Sequence, residues 1–456
     1  MNAPAPIKTR VPEKAARLPR YTSYPTALEF GPLGEDIYPS WLKLLPQDEA
    51  VSLYFHIPFC KQLCWFCGCF TKISNQYEAV EKYLAVLKEE IRLVAAQTGC
   101  RKVSHIHFGG GSPTILEPKD FTDLMQLVRD LFDLGDVEEI ALEVDPRTCS
   151  KEKVVAYARA GVNRVSLGIQ DFNPQVQAAI NRIQSEELVA KNLGWFRMAG
   201  IKNINFDLIY GLPGQTLETI RETVETSLAY HPSRIALFGY AHVPSRAKHQ
   251  KMMDAFVLPD APGRQAMFEL ASAELKNAGY EAIGLDHFSL PGDRLKEAEI
   301  NGLLKRNFQG YTTDQADHMI GFGASAISCL GGGYVQNSPD LKTYAARIRA
   351  GQLAGMRGLE TTEEDRLIRT VISTLMCYFA VDPEAIAKAH GLKVDFTAEA
   401  EQMNRLVKAH YMEKEGDLYR ITKEGRPYLR AIATIFDRHF PQQRDIIERC
   451  IHESEG

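Results

Sequence analysis

The sequence predicts an α/β fold built on parallel strands, followed by a smaller, mainly helical unit. Three observations carry this reading. Six short apolar runs rich in β-forming residues, at 51–57, 103–108, 139–144, 163–167, 204–209 and 234–240, alternate with stretches of helical spacing. Polar or glycine-rich residues follow each run. Beyond about residue 360 the order changes to helices and one short hairpin.

Strand-then-helix repetition implies parallel strands joined by right-handed crossovers. After the first run, Val80, Tyr83, Leu84, Leu87, Ile91 and Val94 form an apolar stripe at helical spacing. After the second, Phe121, Leu124, Leu127, Val128 and Leu131 form another. Periodicity leaves open a doubly wound sheet and a (β/α) barrel, complete or partial. In the last segment Leu367, Ile368, Val371, Ile372, Leu375 and Met376 mark an amphipathic helix. Further helices are expected near 383–390 and 397–410, and a last one from near Glu424. Between them Gly416-Asp417 separates two short runs and signals a hairpin. Helices followed by a hairpin resemble a winged helix. This segment holds 14 basic and 18 acidic residues, a net of −4, which favours a packing or lid role over phosphate contact.

The 456 residues are 45% hydrophobic and 24% charged, which excludes collagenous, coiled-coil and wholly disordered chains. No apolar run reaches the ~18 residues needed to span a bilayer; the longest, 372–381, is broken by Ser373 and Thr374. The first residues carry no apolar signal-peptide core, so a cytoplasmic protein with no membrane partner is expected. The formal net charge of −5 argues against a nucleic-acid partner. The first twenty residues depart from that balance, with Lys8, Arg10, Lys14, Arg17 and Arg20 against Glu13. They read as a solvated tail or as a basic arm that meets an anionic partner.

Nine cysteines in a cytosolic chain are not expected to form a disulfide framework. Cys100, Cys149, Cys329, Cys377 and Cys450 are scattered and read as small buried hydrophobes. Cys60, Cys64, Cys67 and Cys69 crowd into ten residues directly after the first run. A four-thiolate zinc site usually takes paired Cys-x-x-Cys knuckles from separate places, and no second pair exists here. Three thiolates in one loop suit a cubane iron–sulfur cluster whose fourth iron stays open.

In α/β barrels the chemistry sits at the C-terminal strand ends. After the cysteine loop, the second run ends in Gly109-Gly110-Gly111-Ser112-Pro113-Thr114, and the third in Glu143 with Asp145-Pro146. The fourth ends in Gln170-Asp171, the fifth in Asp207, and the sixth in Tyr240-Ala241-His242. The glycine run lacks the lysine of a phosphate loop; it suits close backbone approach to a ligand. Glu143 and Asp207 suit ribose hydroxyls or an amino group; Arg182 reads as a surface residue or equally as the partner of a ligand carboxylate, facing the site but not at the cysteine loop. Either carboxylate alone also reads as a buried group satisfied by a helix N-terminus. His56 and His242 read as packing or hydrogen-bonding residues.

The spacing C-x3-C-x2-C after a first strand, with Phe66 before the third cysteine, resembles the radical S-adenosylmethionine superfamily. Three further stretches narrow the likeness: Arg20-Tyr21-Thr22-Ser23-Tyr24-Pro25-Thr26, Gly68-Cys69, and Arg306-Asn307-Phe308-Gln309-Gly310-Tyr311. From about residue 18 onward the chain resembles the oxygen-independent coproporphyrinogen III oxidases (coproporphyrinogen dehydrogenases). The resemblance implies a partial (β/α)6, TIM-like barrel of the radical SAM type with a mainly helical, winged-helix-like C-terminal domain. The expected limits are 1–48 for the basic arm and lead-in, 49–355 for the barrel with its extension, and 356–456 for the last domain.

The resemblance also implies cofactors and roles. Cys60, Cys64 and Cys67 would hold a 4Fe-4S cluster, beside which two S-adenosylmethionine molecules would bind. Tyr54, Gly110 and Glu143 would contact the first molecule, with Phe66 nearby. Gly111, Ser112, Gln170, Arg182, Asp207, Ala241 and Ile327 would serve the second or lie between the two. Cys69 would lie near the second without ligating iron; Tyr54, Glu143 and Cys69 are the implied catalytic residues. A 5′-deoxyadenosyl radical would drive oxidative decarboxylation of two propionates of coproporphyrinogen III, giving protoporphyrinogen IX in haem biosynthesis. A one-electron donor, an electron acceptor and a monomeric state are also expected. Arg20, Tyr21 and Tyr24 are expected to meet the substrate or close the open barrel side. Related haem chaperones are the alternative; they typically lack Gly-Cys after the third cluster cysteine and the Arg-Tyr-Thr-Ser-Tyr-Pro arm, both present here.

Overall fold

Six parallel strands in sequence order form the centre of the molecule, as seen in a computed structural model that describes residues 18–440. They are Val51–Ile57, Val103–Gly110, Glu139–Val144, Arg164–Gln170, Asn203–Tyr210 and Arg234–Gly239. Helices Tyr77–Gln97, Pro118–Leu131, Lys151–Arg159, Glu186–Met198 and Leu217–Ala229 return the chain between them. The sheet does not close. Beyond the sixth strand lie His287–Ser289 and Glu281–Ile283. On the other flank Met319–Phe322 runs parallel to the first strand and leads into an antiparallel ribbon ending at Gly31–Pro32. The architecture is therefore a partial (β/α) barrel with an open side.

Alternation along the strands separates two environments. Phe55, Phe108 and Phe322 stack on neighbouring strands at 4.8 and 5.0 Å in the core under the helices. The alternate residues Tyr54, His56, His107, Glu143, Ser166 and Asp207 bond to one another on the opposite, barrel-interior face. The predicted apolar stripes lie inside helices Tyr77–Gln97 and Pro118–Leu131 and supply the buried layer over the sheet.

Residues 363–436 build a second core. Helices Glu363–Tyr378, Pro383–Ala389 and Thr397–Lys408 precede the hairpin Met412–Glu415 and Leu418–Ile421, which Ala380–Val381 extends to three strands. Gly416 turns the hairpin at φ 61°, in the region where glycine carries no penalty. The expected last helix is short, a 3-10 turn Arg426–Tyr428 followed by Leu429–Ala433.

Tyr21 and Tyr24 depart from the sequence reading. Both are buried in the second core. Tyr21 Oη donates to Asp437 at 2.9 Å. The Tyr24 carbonyl accepts from Tyr334 and from Arg369, each at 3.1 Å, and its hydroxyl accepts from the Arg438 N–H at 2.9 Å. These rings staple the N-terminal segment to the C-terminal helices and offer no free face to a macrocycle. Only the exposed Arg20 of the predicted basic arm lies within the described residues; Lys8, Arg10, Lys14 and Arg17 lie outside them, as does Cys450. Cys100 and Cys377 are buried as expected, whereas Cys149 and Cys329 are partly exposed.

One buried carboxyl ties the first crossover helix to the ribbon. Glu90 is fully buried and accepts from the Gly323 N–H at 2.7 Å, Asn337 Nδ2 at 2.6 Å and Tyr344 Oη at 2.7 Å. Burial pushes it up to about 7 against the opposing hydrogen bonds. The fold then holds a proton that the unfolded chain releases near the ordinary carboxyl value. Stability is full below that value and falls as pH rises towards 7. Urea unfolding at pH 5 and pH 8 should show this loss in the wild type, of order a few kcal/mol. Glu90→Gln should flatten the difference; an unchanged difference would remove Glu90 as its source.

Candidate active site

The cysteine loop is fixed by backbone contacts at its base. Phe59–Cys60 pairs with Lys72–Ile73, and the Gly111 and Ser112 N–H groups donate to the Ile57 and Phe59 carbonyls, both at 2.9 Å. A Cβ at Gly111 would stand 2.9 Å from the Phe59 backbone, so glycine is what lets the two loops touch. Gly110 likewise has φ 113° and no room for a Cβ beside His56. The rim of the loop is held from other elements. Asn181 Nδ2 donates to the Leu63 carbonyl at 2.8 Å, Gln250 Nε2 to Phe66 at 3.0 Å, and His249 Nε2 meets the Cys67 carbonyl at 2.7 Å.

Cationic side chains surround the thiols. Arg147 Nη2 and Arg182 Nη1 donate to Cys64 Sγ at 3.3 and 3.4 Å. Asp145 lies between them, 2.7 Å from Arg147 and 3.5 Å from Arg182. Burial works to raise its carboxyl, but the guanidinium of Arg182, then that of Arg147, outweighs it and holds Asp145 down at about 2. The Cys69 N–H donates to Cys67 Sγ at 3.4 Å. Hydrogen bonding from Cys69, acting against burial, pushes the Cys67 thiol down to about 7. The side-chain hydrogen bond to Cys67, then the charge of Cys67, drives the Cys69 thiol well up.

Glu143 sits beside the glycine run. Its carboxylate accepts from the Gly110 N–H at 3.1 Å and meets His107 Nε2 at 3.2 Å. Burial favours its neutral form, yet His107 and the Gly110 N–H prevail and hold it below the ordinary range. Tyr54 Oη meets His56 Nδ1 at 3.1 Å, and His56 Nε2 lies 3.0 Å from the Phe70 carbonyl. Asp207 accepts from Ser166 Oγ at 2.7 Å and Asn205 Nδ2 at 2.8 Å. Burial, then the field of Glu143, pushes Asp207 up.

The structure thus gathers Tyr54, the cysteines, Gly110, Gly111, Glu143 and Arg182 around one loop. Arg182 corrects its sequence reading, since it bonds the cysteine loop directly. Gln170 stands beside it: a Cβ at Gly168 would be 2.7 Å from Gln170 Nε2 and 2.9 Å from Arg182 Nη2. Gln170 itself is at φ 68°, where the register with the fifth strand shifts. Phe66 packs with Trp65 on Val176, Ile180 and Tyr240. The Ala241 carbonyl accepts from Gln250 Nε2 at 3.2 Å.

Other residues are placed differently. The Ser112 hydroxyl is buried against Thr114 and Thr148 at 2.9 and 3.3 Å. Ile327 begins a ribbon strand separated from the first strand by Met319–Phe322. Asp171 is an internal anchor for Gln215, Thr223 and the Asn173 N–H. His242 pairs with Tyr240 and Asp254 at 2.8 and 2.9 Å, the hydrogen-bonding role expected of it. Sequence reading missed Arg147 and His107. The signals were available: an arginine two residues past the third strand's aspartate, and a histidine on the interior face of the second.

Among the described residues, no three His, Cys, Asp or Glu side chains close around a single metal ion. Cys60, Cys64 and Cys67 supply three soft ligands from one loop, with two arginines beside Cys64 to offset negative charge. That donor set fits a polynuclear iron–sulfur cluster with one iron free of protein ligands.

An open parallel barrel with three thiols in the loop after its first strand defines a radical SAM protein. Residues 54–226 match the model of the Radical SAM superfamily. The oxygen-independent coproporphyrinogen III oxidase of Bradyrhizobium diazoefficiens is 45% identical over 438 residues, 95% of this chain and 97% of the relative. That of Salmonella typhimurium is 38% identical over 429 residues, 93% of each chain. The solved structure of coproporphyrinogen III oxidase (HemN) from Escherichia coli, described as a radical SAM enzyme, matches with a TM-score of 0.87. It is 38% identical and covers 92% of this chain and 98% of that one. The chain belongs to the oxygen-independent coproporphyrinogen III oxidase family.

Replacing Cys60, Cys64 or Cys67 by Ser should abolish the cluster, because a hard hydroxyl is a poor ligand for iron in a sulfide cubane. Cys69→Ser should keep the wild-type iron count. Iron and sulfide analysis after anaerobic reconstitution tests this, and loss of iron in Cys69→Ser as complete as in Cys60→Ser would contradict the assignment.

Proposed function

We propose that this protein carries out the oxygen-independent oxidative decarboxylation of two propionates of coproporphyrinogen III to vinyl groups, giving protoporphyrinogen IX in haem biosynthesis. One observation carries the reading: the three-thiol loop continues into Gly68-Cys69 within a chain that matches such oxidases almost end to end. The open side of the barrel suits a large macrocycle. Haem chaperoning is the less favoured reading, because Gly68-Cys69 and Arg20-Tyr21-Thr22-Ser23-Tyr24-Pro25 are both present.

In this reading Cys60, Cys64 and Cys67 hold a 4Fe-4S cluster. When bound, the cluster and S-adenosylmethionine supply a 5′-deoxyadenosyl radical able to take a hydrogen atom from the β-carbon of a propionate. Loss of carbon dioxide and of one electron, passed to an acceptor, then leaves the vinyl group. The chain's own residues bind and orient. Glu143, held ionised by His107 and the Gly110 N–H, accepts from the ammonium group of the first S-adenosylmethionine. Tyr54, aligned by His56, borders the same molecule. Arg147 and Arg182 offset the charge of the sulfur ligands. Asp207, whose carboxyl is raised by burial, Gln170, Gly111 and Ala241 serve a second S-adenosylmethionine, with the Cys69 thiol nearby. Ser112 contributes its backbone, and Ile327 lines the ribbon side.

The same proposal takes residues 1–48 as the lead-in, 49–355 as the catalytic barrel with its extension, and 356–456 as the C-terminal domain. It takes the protein as a cytoplasmic monomer served by a one-electron donor and an electron acceptor. No helix among the described residues is long and apolar enough to cross a membrane.

Anaerobic reconstitution with iron and sulfide, followed by product analysis with coproporphyrinogen III, S-adenosylmethionine and a reductant, tests the proposal. Expected is a divinyl product with release of two carbon dioxide molecules per macrocycle. A fully loaded protein that binds haem stoichiometrically and forms no such product would overturn it.

A further inference from the structure

The stretch 306–311 has no part in the chemistry above, yet it forms a defined piece of structure. Lys305–Asn307 pairs with Gly310–Thr312 as a hairpin. Tyr311 anchors it: its buried hydroxyl donates to the Met376 carbonyl at 2.8 Å and accepts from the Leu285 N–H at 3.0 Å. The guanidinium of Arg306 lies over the Tyr311 ring, 4.6 Å from its centre. Arg306 Nε and Nη1 are buried and have no hydrogen-bond partner among the described residues. An aromatic face recovers only part of the cost of burying unpaired guanidinium N–H groups.

Arg306 has like-charged company. Arg430, half-buried in the helix Leu429–Ala433, lies in the field of both Arg20 and Arg306, together with Tyr210 and Asp286. Asp286, with Oδ1 at 2.7 Å from His287 Nδ1, is a counter-ion they share: against burial, His287 first and then Arg306 and Arg430 hold its carboxyl below the ordinary range. Arg264 adds a further guanidinium, 5.9 Å from the centre of the Tyr210 ring, donating to the Tyr240 carbonyl at 2.6 Å. The site is continuous with the barrel mouth. Tyr210 ends the fifth strand, His287 packs edge-on to Tyr311 at 5.2 Å, and His287 lies in the field of Asp207.

Three separate parts of the chain therefore bring arginines to one seam, where Arg306 and Arg430 share the Asp286 carboxylate with His287. One carboxylate set against three guanidinium groups leaves the seam net positive. The apolar clusters on either side are complete without them. The unpaired Arg306 N–H groups and the surplus of positive charge suit a further anion, and planar guanidinium forks match carboxylates in particular.

We propose that Arg306, Arg430 and Arg20 form a carboxylate site at the seam between the barrel mouth and the C-terminal helices, and that it seats propionate groups of the tetracarboxylate macrocycle. The proposal rests on the function proposed above and names how that substrate is held. Arg20 is then the one residue of the predicted arm placed to meet the substrate, while Tyr21 and Tyr24 hold it there through the core.

The test uses the full chain and coproporphyrin III, the stable oxidised macrocycle, with binding followed by porphyrin fluorescence. Arg306→Gln and Arg430→Gln should each raise Kd about tenfold, the scale of one lost charge-assisted pair. High salt should weaken the wild type more than either variant. Arg430→Lys should recover part of the affinity, and ligand-free Arg430→Gln should keep a melting temperature close to that of the wild type. Wild-type Kd values in both glutamine variants, or losses that only track a lower melting temperature, would overturn the site. Turnover of coproporphyrinogen III separates this from the parent reading. A wild type that turns over, with variants of unchanged KM, defeats the site alone. A wild type that binds coproporphyrin through these arginines without decarboxylating the reduced macrocycle supports the site and defeats the enzymatic reading.

Discussion

The contact between two backbones at the barrel mouth governs the rest of the site. The Gly111 and Ser112 N–H groups reach the Ile57 and Phe59 carbonyls, and a side chain at Gly111 would collide with the Phe59 backbone. Parallel pairing sets this up, because Ile57 lies opposite Gly110 in register. The cysteine loop is therefore launched from a rigid strand end directly against the glycine turn. Glu143, on the next strand, then reaches the Gly110 N–H without any freedom of the loop being involved. A site built on strand ends is more rigidly placed than one built on loops alone, which matters where reacting atoms must meet within a fraction of an ångström.

Charge is balanced in layers around this contact. Cys64 receives two guanidinium donors, and Asp145 keeps both arginines in place. Glu143 stays ionised because His107 and a backbone N–H stabilise it, whereas Asp207, satisfied by neutral Ser166 and Asn205, is raised. Two carboxylates on one barrel face thus hold different protonation tendencies, and the difference comes from their partners. Further out, the seam with the C-terminal helices gathers positive charge. Positive charge thus stands both beside the cysteine loop and at the outer seam, an order that suits the anionic macrocycle of the proposed reaction.

Much of this was legible in the sequence. Apolar, β-rich runs marked the strands, and four of the six have both ends within a residue of those expected. The cysteine spacing singled out the loop that the structure places at the barrel mouth, and the strand-end rule singled out Glu143, which lies beside it at the Gly110 N–H. The failures share a physical cause. Tyr21 and Tyr24 read as free aromatic faces because their partners lie some four hundred residues away, at Asp437 and Arg438. Arg182 read as lying away from the cysteine loop because nothing local reveals that it reaches Cys64. Ser112 looked available because its neighbours Thr114 and Thr148 capture its hydroxyl only in three dimensions. Local pattern records which face a residue occupies, and long-range contacts decide what it meets there.

The central claim is that three thiols of one loop hold a cluster with one iron open beside Glu143 and the glycine turn. Electron paramagnetic resonance of the reconstituted, reduced protein, recorded before and after addition of S-adenosylmethionine, tests it most directly. An iron without a protein ligand should take the amino and carboxylate groups of S-adenosylmethionine and shift the cluster signal, in the wild type and in Cys69→Ser alike. A signal that S-adenosylmethionine leaves unchanged in a fully loaded wild type would contradict the account.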